Sequence, residues 1–150
     1  MAFSLGRMGN QASIPSFADL IRVMGGANPS IAKLSGAGTT DTLTAAQMAA
    51  GIFVRSGATA AVAVTTDTAS NILTALGSGV YAGMTFMLIY VNLNTSSGAV
   101  TVSGGTGVTT SGTMTIPVAG LRVFIGTVTN VSTPAVTLQD AFQLDSGVSA

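Results

Sequence analysis

Apolar and polar positions along this chain change their spacing near residue 40. Before that point only one stretch is periodic. Phe17, Leu20, Ile21 and Met24 recur at the three- and four-residue spacing of a helix face, and Ser16 stands at the N-cap position. Asp19 falls in the first turn, where a carboxylate favours the helix N-terminus, and Gly25-Gly26 ends the run. A helix of about nine residues is not stable in isolation, so its apolar face needs a surface to dock on. The next stretch, from Ala27 to Gly38, holds turn residues and too little periodicity for either regular structure.

From Asp41 onward the pattern is denser. Thr44-Ala-Ala-Gln47 fits a capping box in which Thr44 caps and Gln47 reaches back, opening a short helix that stops at Gly51. Alternation predicts strands over 52–56 and 59–65. Asp67 is then placed to cap a second short helix through Ala69, Ile72, Leu73 and Leu76, ended by Gly77. The remainder predicts strands over 85–92, 99–103, 108–110, 113–117, 121–129 and 135–139, rich in Thr and Val and separated by glycine-containing turns. Short strands at this spacing indicate a mainly β fold, an antiparallel β-sandwich or barrel with short helices and an N-terminal arm. The expected organisation is an arm with a short helix at 1–40, a β-sandwich at 41–140 and a C-terminal tail at 141–150. Its expected core draws on Phe53, Val54, Ile72, Leu76, Phe86, Leu88, Tyr90, Val102, Ile116, Val123 and Ile125.

Composition narrows the chemistry. The 150 residues include five basic and five acidic side chains, no His and no Cys, and every acid is an Asp. The side chain that titrates near neutral pH without help is therefore missing, and with it the usual general acid or base. Thiolate nucleophiles, structural zinc sites and Ser-His-Asp triads need a Cys or a His and are excluded for the same reason. No catalytic residue, cofactor site or metal site is expected. An enzyme built on two Asp carboxylates, as in a glycosidase, would need a pair facing each other across a cleft. Zero net charge and five scattered cations also argue against nucleic acid and anionic membrane surfaces as partners. A surface so poor in charge suits a protein whose faces are covered by neighbours, and a homo-oligomer, dimer or trimer, is expected.

Several motifs have ordinary explanations. The apolar run from Met84 to Leu93 is too short to span a bilayer as a helix, and Gln47, Arg55, Ser56 and Gly57 interrupt the longer one from Ala45 to Val64. The start, Met1-Ala-Phe-Ser-Leu-Gly-Arg7, lacks the pattern of a signal peptide, which points to synthesis in the cytoplasm. Gly77-Ser-Gly-Val-Tyr-Ala82 fits a dinucleotide fingerprint in spelling, but a helix precedes it and a strand follows, the reverse of what that fingerprint needs. Gly104-Gly-Thr-Gly107 is read as a hairpin turn, and Asn94-Thr-Ser96 and Asn130-Val-Ser132 as chance matches to the glycosylation pattern. Apolar and basic residues of the start, Phe3, Leu5, Arg7 and Met8, read either as a disordered terminus or as an arm that inserts between neighbouring subunits.

Segments between residues 42 and 138 carry a resemblance. Thr42-Leu-Thr-Ala-Ala-Gln-Met-Ala-Ala-Gly-Ile-Phe-Val-Arg55, Thr68-Ala-Ser-Asn-Ile-Leu-Thr-Ala-Leu76, Gly83-Met-Thr-Phe-Met-Leu-Ile-Tyr-Val-Asn92 and Val102-Ser-Gly-Gly-Thr-Gly-Val-Thr109 follow one another, then Gly112-Thr-Met-Thr-Ile116 and Val128-Thr-Asn-Val-Ser-Thr-Pro-Ala-Val136. In that order they resemble a β-rich domain of virion structural proteins of tailed bacteriophages, of the jelly-roll-like capsid decoration or cement type. The resemblance implies a non-enzymatic protein on the capsid surface of a virion, made in the host cytoplasm, with the major capsid protein as partner. It also allows a tail, baseplate or fibre protein. A carbohydrate-binding module that reads a host receptor is the alternative of another class, but sugar sites usually present exposed aromatics and this chain has no Trp, only Tyr81 and Tyr90, and six Phe. The first 40 residues lie outside the resemblance. The arm residues Phe3, Leu5, Arg7 and Met8 and the helix-face residues Phe17, Leu20 and Ile21 are the expected partner-binding set.

Overall fold

Thr44 and Thr68 open two helices in the same way, and that repetition organises the fold. The computed structural model describes residues 30–144. In it the Thr44 side chain accepts from the Gln47 amide while the Gln47 side chain accepts from the Thr44 amide, starting α1 (Ala45–Ala50). Gly51, at φ 87°, ends α1 in the left-handed region and turns the chain into a strand. Thr68 accepts from the Asn71 amide and starts α2 (Ala69–Leu76), which Gly77 ends. The N-cap is therefore Thr68, and the expected cap Asp67 sits one residue outside the helix.

Ten strands surround these helices: β1 (Ser30–Ser35), β2 (Thr40–Leu43), β3 (Gly51–Ser56), β4 (Val62–Thr66), β5 (Thr85–Asn92), β6 (Val100–Ser103), β7 (Val108–Ser111), β8 (Thr115–Ile116), β9 (Gly120–Asn130) and β10 (Ala135–Leu144). They form two sheets, ordered β1-β3-β5-β9-β10-β7 and β2-β4-β6-β8. Successive strands alternate between the sheets as far as β9, so the chain winds as a coil. Each circuit lays a strand on the six-stranded sheet, crosses to the four-stranded one, and returns through a helix or a loop. Among the described residues only β9 and β10 are both consecutive and hydrogen-bonded to each other.

The mainly β, two-sheet expectation holds, but pairing is mixed where antiparallel strands were expected. β1–β3, β3–β5, β2–β4, β4–β6 and β7–β10 are parallel, while β5–β9, β9–β10 and β6–β8 are antiparallel. Coiling is the cause for the first four parallel pairs. When a strand is followed by a corner into the facing sheet, its neighbour is laid down one circuit later and in the same direction. The segment expected to lack regular structure supplies β1, paired with β3 from Ser30 to Ser35, and β2 precedes α1. β10 continues to Leu144, into the expected tail.

Inward positions of the two sheets and the undersides of the helices form one core. Phe53, Leu88, Tyr90, Phe124 and Leu138 of the larger sheet meet Leu43, Val62, Val64, Val100, Val102 and Ile116 of the smaller, with Met48 and Ile72 packed in from α1 and α2. Of the expected core, Phe53, Ile72, Leu88, Tyr90, Val102 and Ile116 lie here. Leu76 and Phe86 pack against it from partly buried positions, Val123 and Val54 belong to a second cluster, and Ile125, expected in the core, is only half-buried and in neither. Phe86 lies opposite Gly126 in the β5–β9 register, and a Cβ on Gly126 would come within 2.2 Å of the Phe86 ring, so only glycine lets that ring cross the neighbouring strand.

Candidate interaction surfaces

Among the described residues, Asp41, Arg55, Asp67, Arg122 and Asp140 are committed to holding the coil together. Arg55 on β3 is 1% exposed. Its Nε donates to Asp41 Oδ2 at 2.6 Å, its Nη2 to the Gly38 carbonyl at 2.8 Å, and its Nη1 to the carbonyls of Gly36 (2.8 Å) and Ser56. Arg122 on β9 is also buried. It bonds the Thr115 carbonyl of the facing sheet at 3.0 Å, Asp140 Oδ2 at 2.6 Å and the Gln143 side chain. Each guanidinium thus ties the larger sheet to the smaller one or to a corner between them, and neither is presented to a ligand.

Asp67 links successive circuits. Its carboxylate accepts from the Asn71 side chain at 2.7 Å, from the Thr68 amide at 2.8 Å and, across to α1, from the Ala45 amide at 3.1 Å. These bonds, that from Asn71 foremost, hold its carboxyl below the usual value of 3.8. One circuit later the Gly104–Gly107 stretch repeats the move: the Ala69 amide of α2 donates to the Thr106 carbonyl, and the Gly105 amide donates to Thr66 Oγ1. That stretch joins β6 in one sheet to β7 in the other, so it is a corner between sheets and not the expected hairpin turn. A Cβ on Gly105 would lie 2.3 Å from the Thr66 carbonyl oxygen.

Two asparagines do the same work at the opposite corners. Asn92 and Asn94 are buried. Asn92 Nδ2 donates to the carbonyls of Gly98, Ile116 and Pro117, while Asn94 accepts from the Ala58 amide and donates to Gly98. With its amide engaged on both sides, Asn94 is a corner brace and no glycan acceptor in the folded chain. Asn130 accepts from the amides of Ser132 and Thr133 and shapes the β9–β10 turn. Tyr90, one of the two tyrosines considered for sugar stacking, is in the core with its hydroxyl unpartnered, and burial pushes its pKa up. Tyr81 is 62% exposed, in the loop after α2.

Broad faces remain. The outer face of the four-stranded sheet is built of hydroxyls: Thr42, Thr65 and Ser103 share one register row, and Thr101 and Thr115 stand side by side in the next. Thr65 and Ser103 are hydrogen-bonded at 3.3 Å and Thr101 and Thr115 at 3.2 Å. The outer face of the six-stranded sheet is apolar. Ile31, Ile52, Ile89, Val123 and Phe142 form one unbroken row from β1 to β10, and Lys33, Val54, Val91, Leu121 and Leu144 form the next. Lys33 is the one charged residue in those two rows.

Phe3, Leu5, Arg7, Met8, Phe17, Leu20 and Ile21, the partner-binding set expected from the sequence, lie outside the described residues. The two outer faces were missed at that stage because alternation shows that a strand has two sides but not which strands share them. Their signal was present in Ile52-Phe-Val and Leu88-Ile-Tyr-Val, where both alternating sets are apolar, as in a strand covered on both faces. No three Asp, Glu, His or Cys side chains of the described residues come together as a metal would require, and no helix among them is long and apolar enough to cross a membrane. Compared with protein-family models, curated proteins and solved structures, the chain matches none.

Proposed function

We propose that this chain is a non-enzymatic virion structural protein, of the kind that decorates and cements a capsid, built into its assembly as a homo-oligomer on the outer lattice of the major capsid protein. The observation that carries the reading is the poverty of charge on a chain with five cations and five anions in all, seen on the hydroxyl-lined outer face of the four-stranded sheet. Interfaces between permanent neighbours are depleted in charge, whereas a free monomer keeps a charged surface for solubility. Asp41, Asp67 and Asp140 each serve a structural bond, which supports a scaffold rather than a catalyst. The resemblance to jelly-roll-like decoration proteins points the same way.

Reinforcement would be additive. Apolar area buried across a subunit boundary contributes about 25 cal/mol per Å² before the costs of association, and the gain recurs at every copy. Attachment falls to the beginning of the arm, where Phe3, Leu5 and Met8 offer apolar anchors and Arg7 a cation. A chain lacking residues 2–8 should fold as the full chain does and bind poorly to virus particles stripped of the protein, measured by co-sedimentation. Equal binding of the two chains would move attachment to the sheets, and failure of the full chain to bind at all would remove the capsid reading.

A further inference from the structure

The apolar row on the outer face of the larger sheet is covered only in the middle. Ile52, Ile89 and Val123, on the adjacent strands β3, β5 and β9, are 8%, 5% and 4% exposed, while Ile31 and Phe142 at the two ends of the row are 57% and 53% exposed. Side chains on an open sheet face do not reach such burial through lateral neighbours alone. The cluster around these three contains Val54, Met87, Val91 and Leu121, all from the same strands, and the buried residues of α1 and α2 belong to the core on the other side. None of the described residues outside the sheet joins that cluster. Of the two ends, residues 145–150 read Asp-Ser-Gly-Val-Ser-Ala and hold one sizeable apolar side chain, whereas residues 1–29 hold the helix-patterned Phe17, Leu20, Ile21 and Met24.

We propose that segment 17–24 docks as a helix on the outer face of its own larger sheet, with Phe17, Leu20, Ile21 and Met24 over Ile52, Ile89 and Val123. The width of the cover fits. An α-helix with side chains is about 10–12 Å across, and β3 and β9, two strand spacings apart, are separated by roughly 10 Å. One helix covers the three central strands and leaves the flanking Ile31 and Phe142 in the open. The reach fits as well. β1 begins at Ser30 on the edge of this face, and the five residues from Gly25 to Pro29 extend up to about 17 Å. A point roughly 10 Å above β5, two strands in from β1, lies about 14 Å away. The assignment gives Phe17, Leu20 and Ile21 to the chain's own body and leaves Phe3, Leu5, Arg7 and Met8 for the partner. It does not depend on the virion reading.

Absence of Cys makes the test clean. In the full chain at low concentration, Ile89→Cys combined in turn with Phe17→Cys, Leu20→Cys or Ile21→Cys should give, for at least one pair, nearly complete intramolecular disulfide under mild oxidation, read by mass spectrometry of tryptic peptides. A control pair placing the second cysteine on the hydroxyl face, Leu20→Cys with Thr65→Cys, should give none. Disulfides only between chains, or equal capture by the control, would overturn the proposal. Should the cysteine variants fold poorly, nuclear Overhauser contacts between the methyl groups of Ile89 and those of Leu20 or Ile21 in the unsubstituted chain decide the matter: their presence supports the docked helix and their absence refutes it.

Discussion

Arg55 on β3 and Asp41 on β2 meet at 2.6 Å, and this ion pair joins the two sheets at their first corner. The guanidinium is almost fully buried, and three carbonyls of the same corner take its other donors. A buried pair adds little net stability over a well-packed apolar replacement, but losing one partner leaves an uncompensated charge inside. Asp41→Ala is accordingly expected to destabilise the fold by about 3–5 kcal/mol. A loss of less than about 1 kcal/mol in chemical denaturation would show that solvent reaches Arg55 when its partner is gone.

Acid sensitivity should trace to Asp67. Hydrogen bonds from Asn71, Ala45 and Thr68 hold its folded carboxyl below 3.8, so the stability it adds is complete above that value and is lost as pH falls through the lower folded value. Melting temperature is therefore expected to be flat from about pH 5 to 8, since no His titrates there, and to drop below about pH 4. Asp67→Asn should flatten the acid limb. An unchanged acid limb in that variant would assign it to other carboxylates.

Alkaline sensitivity has the opposite sign and a different residue. Burial raises the Tyr90 phenol above its ordinary value of 10.0, with the Asp41 charge adding to the rise and Arg55 opposing it. The unfolded chain gives up that proton first, so stability is full below about pH 10 and is lost as pH rises further. Because the hydroxyl is buried without a partner, Tyr90→Phe should leave neutral-pH stability unchanged or raise it and should flatten the alkaline limb. A loss of more than about 1 kcal/mol at neutral pH would show that the hydroxyl does hold a bond worth that much.

Corner packing gives a fourth outcome. Gly105 lets the third circuit lie against Thr66, and a methyl group there would sit 2.3 Å from a backbone oxygen that cannot easily move aside. Gly105→Ala is expected to cost about 1–3 kcal/mol in chemical denaturation, whereas Gly79→Ala, in a loop with open space around its Cβ, should cost little.

A truncated chain distinguishes the arm from the body. Beginning the protein at Gly38 removes β1 from the edge of the larger sheet and takes the Gly36 carbonyl from Arg55. Beginning it at Ser30 keeps both. The shorter chain should melt lower by about 5 °C or more, given that each kcal/mol moves a domain of this size by roughly 2–8 °C. Equal melting temperatures would mean that β1 is dispensable.

Local chemistry made much of this fold legible, and long-range order made the rest invisible. The capping box at Thr44, the glycine stops at Gly51 and Gly77 and the bounds of β5 all lie in contiguous residues, and there the reading and the structure agree. Parallel pairing was not legible, because β4 finds β6 thirty-odd residues later through a corner whose direction no local pattern records. A hint existed in the two helix starts, Thr44-Ala-Ala-Gln and Thr68-Ala-Ser-Asn, which mark the same point on successive circuits. β1 was missed because Ser-Ile-Ala-Lys-Leu-Ser is short and mixed, and its strand character comes from β3 beside it. Both buried arginines look like surface charges in sequence, and only the carbonyls gathered around Arg55 and the acid beside Arg122 explain their burial.

The number of copies of this protein in purified virus particles, counted by quantitative mass spectrometry against the major capsid protein, tests the proposed role most directly. A decoration protein should be present in a fixed, small-integer ratio to the capsid subunit. A number matching a single tail or fibre assembly would contradict the capsid placement, and absence from the particle would contradict the virion role itself.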